Sequence, residues 1–349
     1  MDAMEATKSG ARATKGARLS VVVIGRNEGA RLAACLESIH AGRNMPGLAE
    51  LIYVDSHSTD GSPDCAASYG ATVIELGAGK LSAARARNAG WQAATAPFIL
   101  FLDGDTILDP DFVSRALPQF ADSSVAVVWG HRRELRPDAS VYNRVLDLDW
   151  IAPAGDSDFC GGDSLMRREV LERMNGFNPD LIAGEEPDLC RRIRGTGSRI
   201  LHVDIPMTGH DLAIHHVSQY WRRAVRTGHA YAEIATRYRD SADRLWTRES
   251  NKNLFQGSLY ILFAVGLCVA ANLLHSWIPV LIGALGGAVL SIRTAIASRS
   301  KGAAWSTLFL FGVHSHIQHV PILLGQLGYF WRRWRGQSRV LIEYKAKSS

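Results

Sequence analysis

The chain has 349 residues, room for one large domain or two of ordinary size. Lysine and arginine number 39 against 34 aspartates and glutamates, and a net charge of +5 without a basic stripe does not point to nucleic acid as a partner. Apolar residues at 47% and charged residues at 21% exclude disorder for most of the chain.

Residues 1–18 are rich in Ala, Gly, Thr and Lys and lack an apolar run, so they read as a flexible basic tail and not as a secretory signal. Leu19–Gly25 (LSVVVIG), β-branched and ending in Gly, suits a strand buried on both faces. Residues 27–39 place Leu32, Cys35, Leu36 and Ile39 at helical spacing. A second strand follows at 50–56, a second helix at 60–70 closed by Gly70, and a third strand at 71–76. Residues 82–94 form a helix with Ser82 as N-cap, and 97–103 a fourth strand. This cadence means βαβ units and a parallel sheet.

The hydrophobicity is segregated. Residues 257–274 carry no charge, and 277–292 are nearly as apolar, so the two read as a transmembrane hairpin. Arg244, Arg248 and Lys252 precede it and Arg293, Arg299 and Lys301 follow, which puts both flanks on the cytoplasmic side of an inner membrane, and with them the catalytic part. A third apolar stretch, 303–330, is interrupted by His314, His316, His319 and Pro321 and ends in the aromatic, basic WRRWRGQSR. It reads as a re-entrant or interfacial pair of helices. Five cysteines, odd in number and without CxxC spacing, argue against a disulfide framework or structural zinc site and for a reducing compartment.

The strongest chemical signal is LFLDGDT. Asp103 and Asp105 end a buried strand at the crevice where open α/β sheets bind ligands, and hard oxygen donors there suit Mg²⁺ or Mn²⁺. Asp-Gly-Asp is also ordinary turn chemistry. VDSHSTDGS places Asp55 at the end of the second strand and Asp60 at the next helix start, and ARN puts Arg87 on the helix before the Asp103 strand. With LSVVVIGRNE at the front, these four pieces resemble, in order and spacing, the nucleotide-sugar half of family 2 glycosyltransferases.

The resemblance implies a fold class, α/β of the GT-A type with a mostly parallel sheet, here followed by C-terminal membrane helices. It implies a nucleotide-sugar donor, UDP- or GDP-linked, met by Arg26, Asn27, Glu28, Asp55, Arg87 and Asp103. It implies Mg²⁺ or Mn²⁺ on Asp103 and Asp105. Two departures stand out: Ile24-Gly25-Arg26 where the family has Ile-Pro-aromatic, and Ser56 where it often has a second Asp.

FCGGDSLMRREVLERMNGFNPDLIAGEEPDLCRRIR extends the likeness to about Arg194. An inverting transfer needs a carboxylate to take the acceptor hydroxyl's proton. The position matching the family's base is Glu186, with Glu185 and Asp188 as reserves and Pro187 expected at the first helical position. Acidic residues also simply favour a helix N-terminus. Further on, Gln219, Arg222 and Arg223 loosely resemble the QxxRW helix of processive members, with Trp221 ahead of the arginines instead of after them. They would meet a diphosphate or an anionic lipid head, and His210 would be a third metal ligand.

The expected organisation is a tail at 1–18, a glycosyltransferase domain at 19–235, a juxtamembrane linker at 236–256, a membrane hairpin at 257–297 and re-entrant helices with a basic tail at 303–349. The expected function is sugar transfer to a lipid-linked or glycan acceptor at the membrane, with no nucleic acid involved. A processive synthase, a nucleotidyltransferase and a non-catalytic scaffold are the alternatives. The altered Trp-Arg order, the missing Gly-rich basic loop after the first strand and the intact acidic pairs weigh against them respectively.

Overall fold

The structure is a computed structural model that describes residues 18–41, 45, 47–77 and 81–337; all but the last residue of the expected basic tail at 1–18, and the last residues of the expected C-terminal tail, 338–349, lie outside the described residues. The chain forms two compact units, one running to Leu135 and including Ala152–Asp211, the other made of Arg136–Ile151 and the chain from Leu212 onward.

The first unit opens with β1 (Leu19–Gly25), α1 (Ala30–Ala41), β2 (Leu48–Asp55), α2 (Ser62–Ser68), β3 (Thr72–Glu75), α3 (Ala83–Ala93) and β4 (Phe98–Asp103). These match the expected elements to within a few residues at their ends. Ser82 caps α3 by accepting the Arg85 amide at 3.3 Å. β5 (Thr106–Leu108), α4 (Phe112–Ala116) and β6 (Val125–Glu134) follow, and α5 (Val141–Asp147) belongs to the second unit. The first unit then closes with β7 (Gly155–Asp156), β8 (Ser164–Arg167), α6 (Arg168–Met174), α7 (Glu185–Arg194) and β9 (Arg199–His210).

Among the described residues the strands form one sheet in the order β3-β2-β1-β4-β8-β6-β9-β5, with β7 on β9. β1 to β4 are mutually parallel, whereas β8 is antiparallel to β4 and β6, and β5 is antiparallel to β9. β1 is buried along its length because alternate residues serve two cores. Leu19, Val21 and Val23 pack with Leu32 and Leu36 of α1, while Val22 and Ile24 pack with Ala84 and Trp91 on the opposite face. Each such side chain contributes roughly 1.5–3 kcal/mol by leaving water.

The second unit contains α5, α8 (Val217–Arg237), α9 (Thr247–Leu273), α10 (Ile278–Ala297), α11 (Trp305–Ile317) and α12 (His319–Trp334). Three stretches are long and apolar enough to cross a membrane: Thr247–Leu273 and Ile278–Ala297, with mean hydropathies of 2.0 and 1.8, and Trp305–Trp334 at 1.2. The first two leave Phe255, Leu262, Leu273, Ile282 and Leu285 more than three-fifths exposed. The third is 44% buried within the unit and is broken at Gln318 between α11 and α12. The expected linker at 236–256 is mostly helix: α8 runs to Arg237 and α9 begins at Thr247, because the polar residues 247–256 extend the apolar helix by nearly three turns instead of interrupting it.

Candidate active site

The order β3-β2-β1-β4 reverses the direction of chain progress across the sheet between β1 and β4. The crevice outside the carboxyl ends of the strands at that point is where open α/β sheets bind ligands. Ile24 lies opposite Asp103 there, and the Gly104 amide donates to the Ile24 carbonyl at 2.8 Å. This tight turn leads directly into β5, whose antiparallel register sets Thr106 opposite His210. Strand register thus brings together two carboxylates two residues apart in sequence and an imidazole about a hundred residues away. One ligand atom each from Asp103, Asp105 and His210 lies within 4.8 Å of the others, and His210 Nε2 stands 3.5 Å from Asp105 Oδ1. Asp105 and His210 are buried, while Asp103 is partly open.

Arg87 reaches the same edge from α3. Its Nη2 donates to Asp103 Oδ1 at 2.7 Å and its Nη1 to Glu185 Oε1 at 2.8 Å, with the guanidinium 5.7 Å from the Phe177 ring centre. Burial alone would lower its pKa, but Asp103, Glu185 and Asp163 reverse that and hold it above the usual value. A buried guanidinium tied to two carboxylates is a fixed positive charge. Gly162 lies against this pair: a Cβ there would come within 2.6 Å of Arg87 Nη2 and 2.9 Å of Asp103 Oδ2.

Asp163, which follows that glycine, is a residue the sequence reading missed. It is fully buried, accepts the Asp103 amide at 2.9 Å and the Thr208 hydroxyl at 2.9 Å, and has Arg132 Nε at 3.3 Å. Burial pushes its carboxyl pKa up, Arg132 opposes this, and the nearby Asp103 charge adds to it. The signal was a lone acid between Gly161-Gly162 and the apolar strand that contains Leu165 and Met166.

The loops after β1 and β2 are knitted together. Asn27, at φ 54°, donates its amide to Ser58 Oγ at 2.9 Å and accepts the Thr59 amide on Oδ1 at 2.7 Å. Asp55 accepts from Tyr53 Oη at 3.0 Å and the Ser58 amide at 2.8 Å. Asp60 takes the Gly29 amide at 2.9 Å and the Ser62 amide at 3.1 Å at the start of α2. Slight burial would raise the Asp60 pKa, yet these hydrogen bonds hold it below the ordinary value. Glu28 pairs with Arg31 at 2.9 Å, and Arg26 is part-buried beside it.

The acidic cluster opens α7, which begins at Glu185 after Gly184 in the left-handed region. Pro187 is therefore the third helical residue and not the first, a position where its missing N–H still costs no intrahelical bond. Its three acids have separate partners. Glu185 holds Arg87. Glu186, 9% exposed, accepts the Cys160 amide at 2.7 Å and the Cys190 thiol at 2.9 Å, both on Oε1. Asp188 is buried and paired with Arg192 at 2.9 Å, which itself donates to the carbonyls of Met174 and Gly176. Asp188 thereby ties α7 to the end of α6.

Gln219, Arg222 and Arg223 lie on α8, in the second unit. The Gln219 carbonyl accepts the amides of His215 and His216 at 2.9 and 3.0 Å, closing a capping box at the start of its own helix. Arg222 is exposed, and Arg223 lines a cavity of about 440 Å³ with Asp149, Tyr220, Lys252 and His314.

The family model for glycosyl transferase family 2 matches residues 20–174. A pre-mycofactocin glycosyltransferase of Mycobacterium tuberculosis is 28% identical over 170 residues, 45% of this chain and 36% of that protein, so the chain matches little more than a third of this curated relative's length. Among solved structures, a mannosyltransferase of Pyrobaculum calidifontis, in complex with GDP-mannose and Mn²⁺, superposes with a TM-score of 0.64 at 19% identity over 95% of each chain. Glucosyl-3-phosphoglycerate synthase of Mycobacterium tuberculosis, with Mn²⁺, UDP and phosphoglyceric acid, superposes at 0.50 and 20% identity over 66% of this chain and 82% of that one. The fold is of the GT-A type, and residues 20–174 carry the match to glycosyl transferase family 2.

Proposed function

We propose that this protein is a metal-dependent, inverting glycosyltransferase that moves a sugar from a nucleotide-sugar to a lipid-linked or glycan acceptor at the cytoplasmic face of the inner membrane. One observation carries the reading: the Asp103, Asp105 and His210 donors converge at the sheet's switch point, with the Arg87–Glu185 pair joined to Asp103. Two carboxylate oxygens and an imidazole suit Mg²⁺ or Mn²⁺. The Mn²⁺ complexes of the two structural neighbours, one with GDP-mannose and one with UDP, support the same donor class.

The cation, when bound, would offset charge on the departing nucleoside diphosphate. Arg87 adds a permanent positive charge at that edge, oriented in advance by Asp103 and Glu185. Asp163 fixes the Asp103 backbone from below. Glu186 is the acceptor base: its Oε1 is held by Cys160 and Cys190, and Oε2 takes the hydroxyl proton as the acceptor oxygen attacks the anomeric carbon. A single displacement inverts that carbon. The membrane assignment draws on the apolar helices and the Arg and Lys residues flanking them.

The test is full-length protein in detergent, given a panel of UDP- and GDP-sugars with Mn²⁺, scored for nucleoside diphosphate release and for the product's anomeric configuration. One donor should support release that stops in excess chelator and yields the inverted anomer. An undiminished rate in chelator overturns the metal assignment, and a retained anomer overturns the mechanism.

A further inference from the structure

Cys160 and Cys190 are thirty residues apart, yet their sulfurs lie 3.5 Å from each other, both buried, with Cys190 on α7 itself. Glu186 and Cys190 are one helical turn apart, so both project from the same face of α7. Glu186 Oε1 stands 2.9 Å from Cys190 Sγ, and the two sulfurs and this oxygen all lie within 4.8 Å of one another. A tetrahedral ion with metal–sulfur bonds of about 2.3 Å and a metal–oxygen bond of about 2.1 Å holds its sulfurs roughly 3.8 Å apart and its oxygen roughly 3.5 Å from each. Reaching that shape means opening the sulfur pair by about 0.3 Å and the Glu186 Oε1–Cys190 Sγ contact by about 0.6 Å. Closing a disulfide would instead require the sulfurs to approach to about 2.05 Å. Two sulfurs and one carboxylate are also a soft donor set, unlike the oxygen and imidazole donors of Asp103, Asp105 and His210.

We propose that Cys160, Cys190 and Glu186 form a second cation site, selective for thiophilic ions such as Zn²⁺ or Cd²⁺ over Mg²⁺ and Mn²⁺, and that filling it halts sugar transfer. Binding releases the two thiol protons to solvent, forms two metal–thiolate bonds and one metal–carboxylate bond, and leaves a fourth position to water. Glu186 then has its charge committed to the ion and no longer accepts the acceptor's proton. The inhibitory half rests on the reading of Glu186 as the base; the site itself does not.

The probe is Co²⁺, added to full-length protein in detergent under a phosphine reductant. Thiolate-to-cobalt charge transfer absorbs only where sulfur is a ligand, so an ion on Asp103, Asp105 and His210 is silent in that band. We expect a saturable band at one equivalent, displaced by Zn²⁺ and unaffected by excess Mg²⁺. It should persist in a Cys65→Ser, Cys268→Ser variant and vanish in Cys160→Ser and in Cys190→Ser. Cys190→Ala serves if a serine variant fails to fold. No band, or one that survives loss of Cys190, overturns the site. In transfer assays with Mn²⁺, equimolar Zn²⁺ should abolish turnover, and Cys190→Ser should weaken that inhibition by at least the about 10–100-fold that loss of a mere supporting group brings. A cobalt band without inhibition leaves the site standing and overturns Glu186 as the base. Inhibition that Cys190→Ser does not relieve overturns the inhibitory half.

Discussion

At the scale of single residues, the three acids that open α7 separate by their partners. Glu186→Gln keeps an Oε1 to accept from Cys160 and Cys190 but loses the ability to take a proton. We expect kcat to fall by about 10²–10⁴-fold with donor affinity and melting temperature nearly unchanged, and Glu186→Asp to be milder. Asp188→Asn should do the reverse. Removing its charge beside Arg192 loosens the link between α6 and α7, at a cost of about 1–3 kcal/mol in stability, while the rate per folded molecule is kept. Turnover and melting measured together decide it: a folded but inactive Asp188→Asn would move the base two residues along. Asp105→Ala, a change in a buried member of the donor cluster, should abolish Mn²⁺-dependent nucleotide binding, read by calorimetry, and leave the fold intact.

At the scale of elements, close approach is the recurring device. The loop before β8 crosses Arg87 at Gly162, so Gly162→Ala should push the guanidinium off Asp103 and weaken nucleotide binding without unfolding the sheet. An unchanged nucleotide affinity in that variant would remove Arg87 from the donor site. In the second unit, α8 and α12 touch backbone to backbone: a Cβ on Gly228 would sit 2.0 Å from the Ile322 carbonyl, and one on Gly325 2.1 Å from that of Val225. Small residues permit such contact between helices. Gly325→Val should therefore cost about 1–3 kcal/mol by overpacking, seen as a lower melting temperature in detergent.

At the scale of the whole molecule, all five side chains named on α9 and α10 above would have to find apolar surroundings, with Leu273 and Leu262 76% and 69% exposed. Their burial in lipid predicts that the full-length chain stays in the membrane pellet through high salt and alkaline carbonate and is released only by detergent. Recovery in the carbonate supernatant would count against spanning helices. Removal of everything beyond residue 256 should free the chain from membrane but bare the face of α8 that packs on α12, so that product is expected to aggregate.

The sequence by itself determined the alternation of strand and helix through β4, because a buried parallel strand needs a continuous apolar run and each helix its own amphipathic period. It also located Asp103, Asp105 and the acids of α7, which sit at the ends of elements, and Arg87 within α3, because the periodicity of those elements is visible locally. The meeting of Cys160 and Cys190 was not legible, because thirty residues separate them and no local spacing records it. Asp163 was hidden for a similar reason: its partners, the Asp103 amide, Thr208 and Arg132, come from three other strands. His210 was named from the sequence as a third metal ligand, but its place beside Asp105 is set only by the β5–β9 register. Gln219, read as a ligand from its motif, turned out to cap its own helix, because the amides it accepts are exposed only once that helix has a start. Register and long-range pairing are global properties, and they alone decided which polar side chains became neighbours.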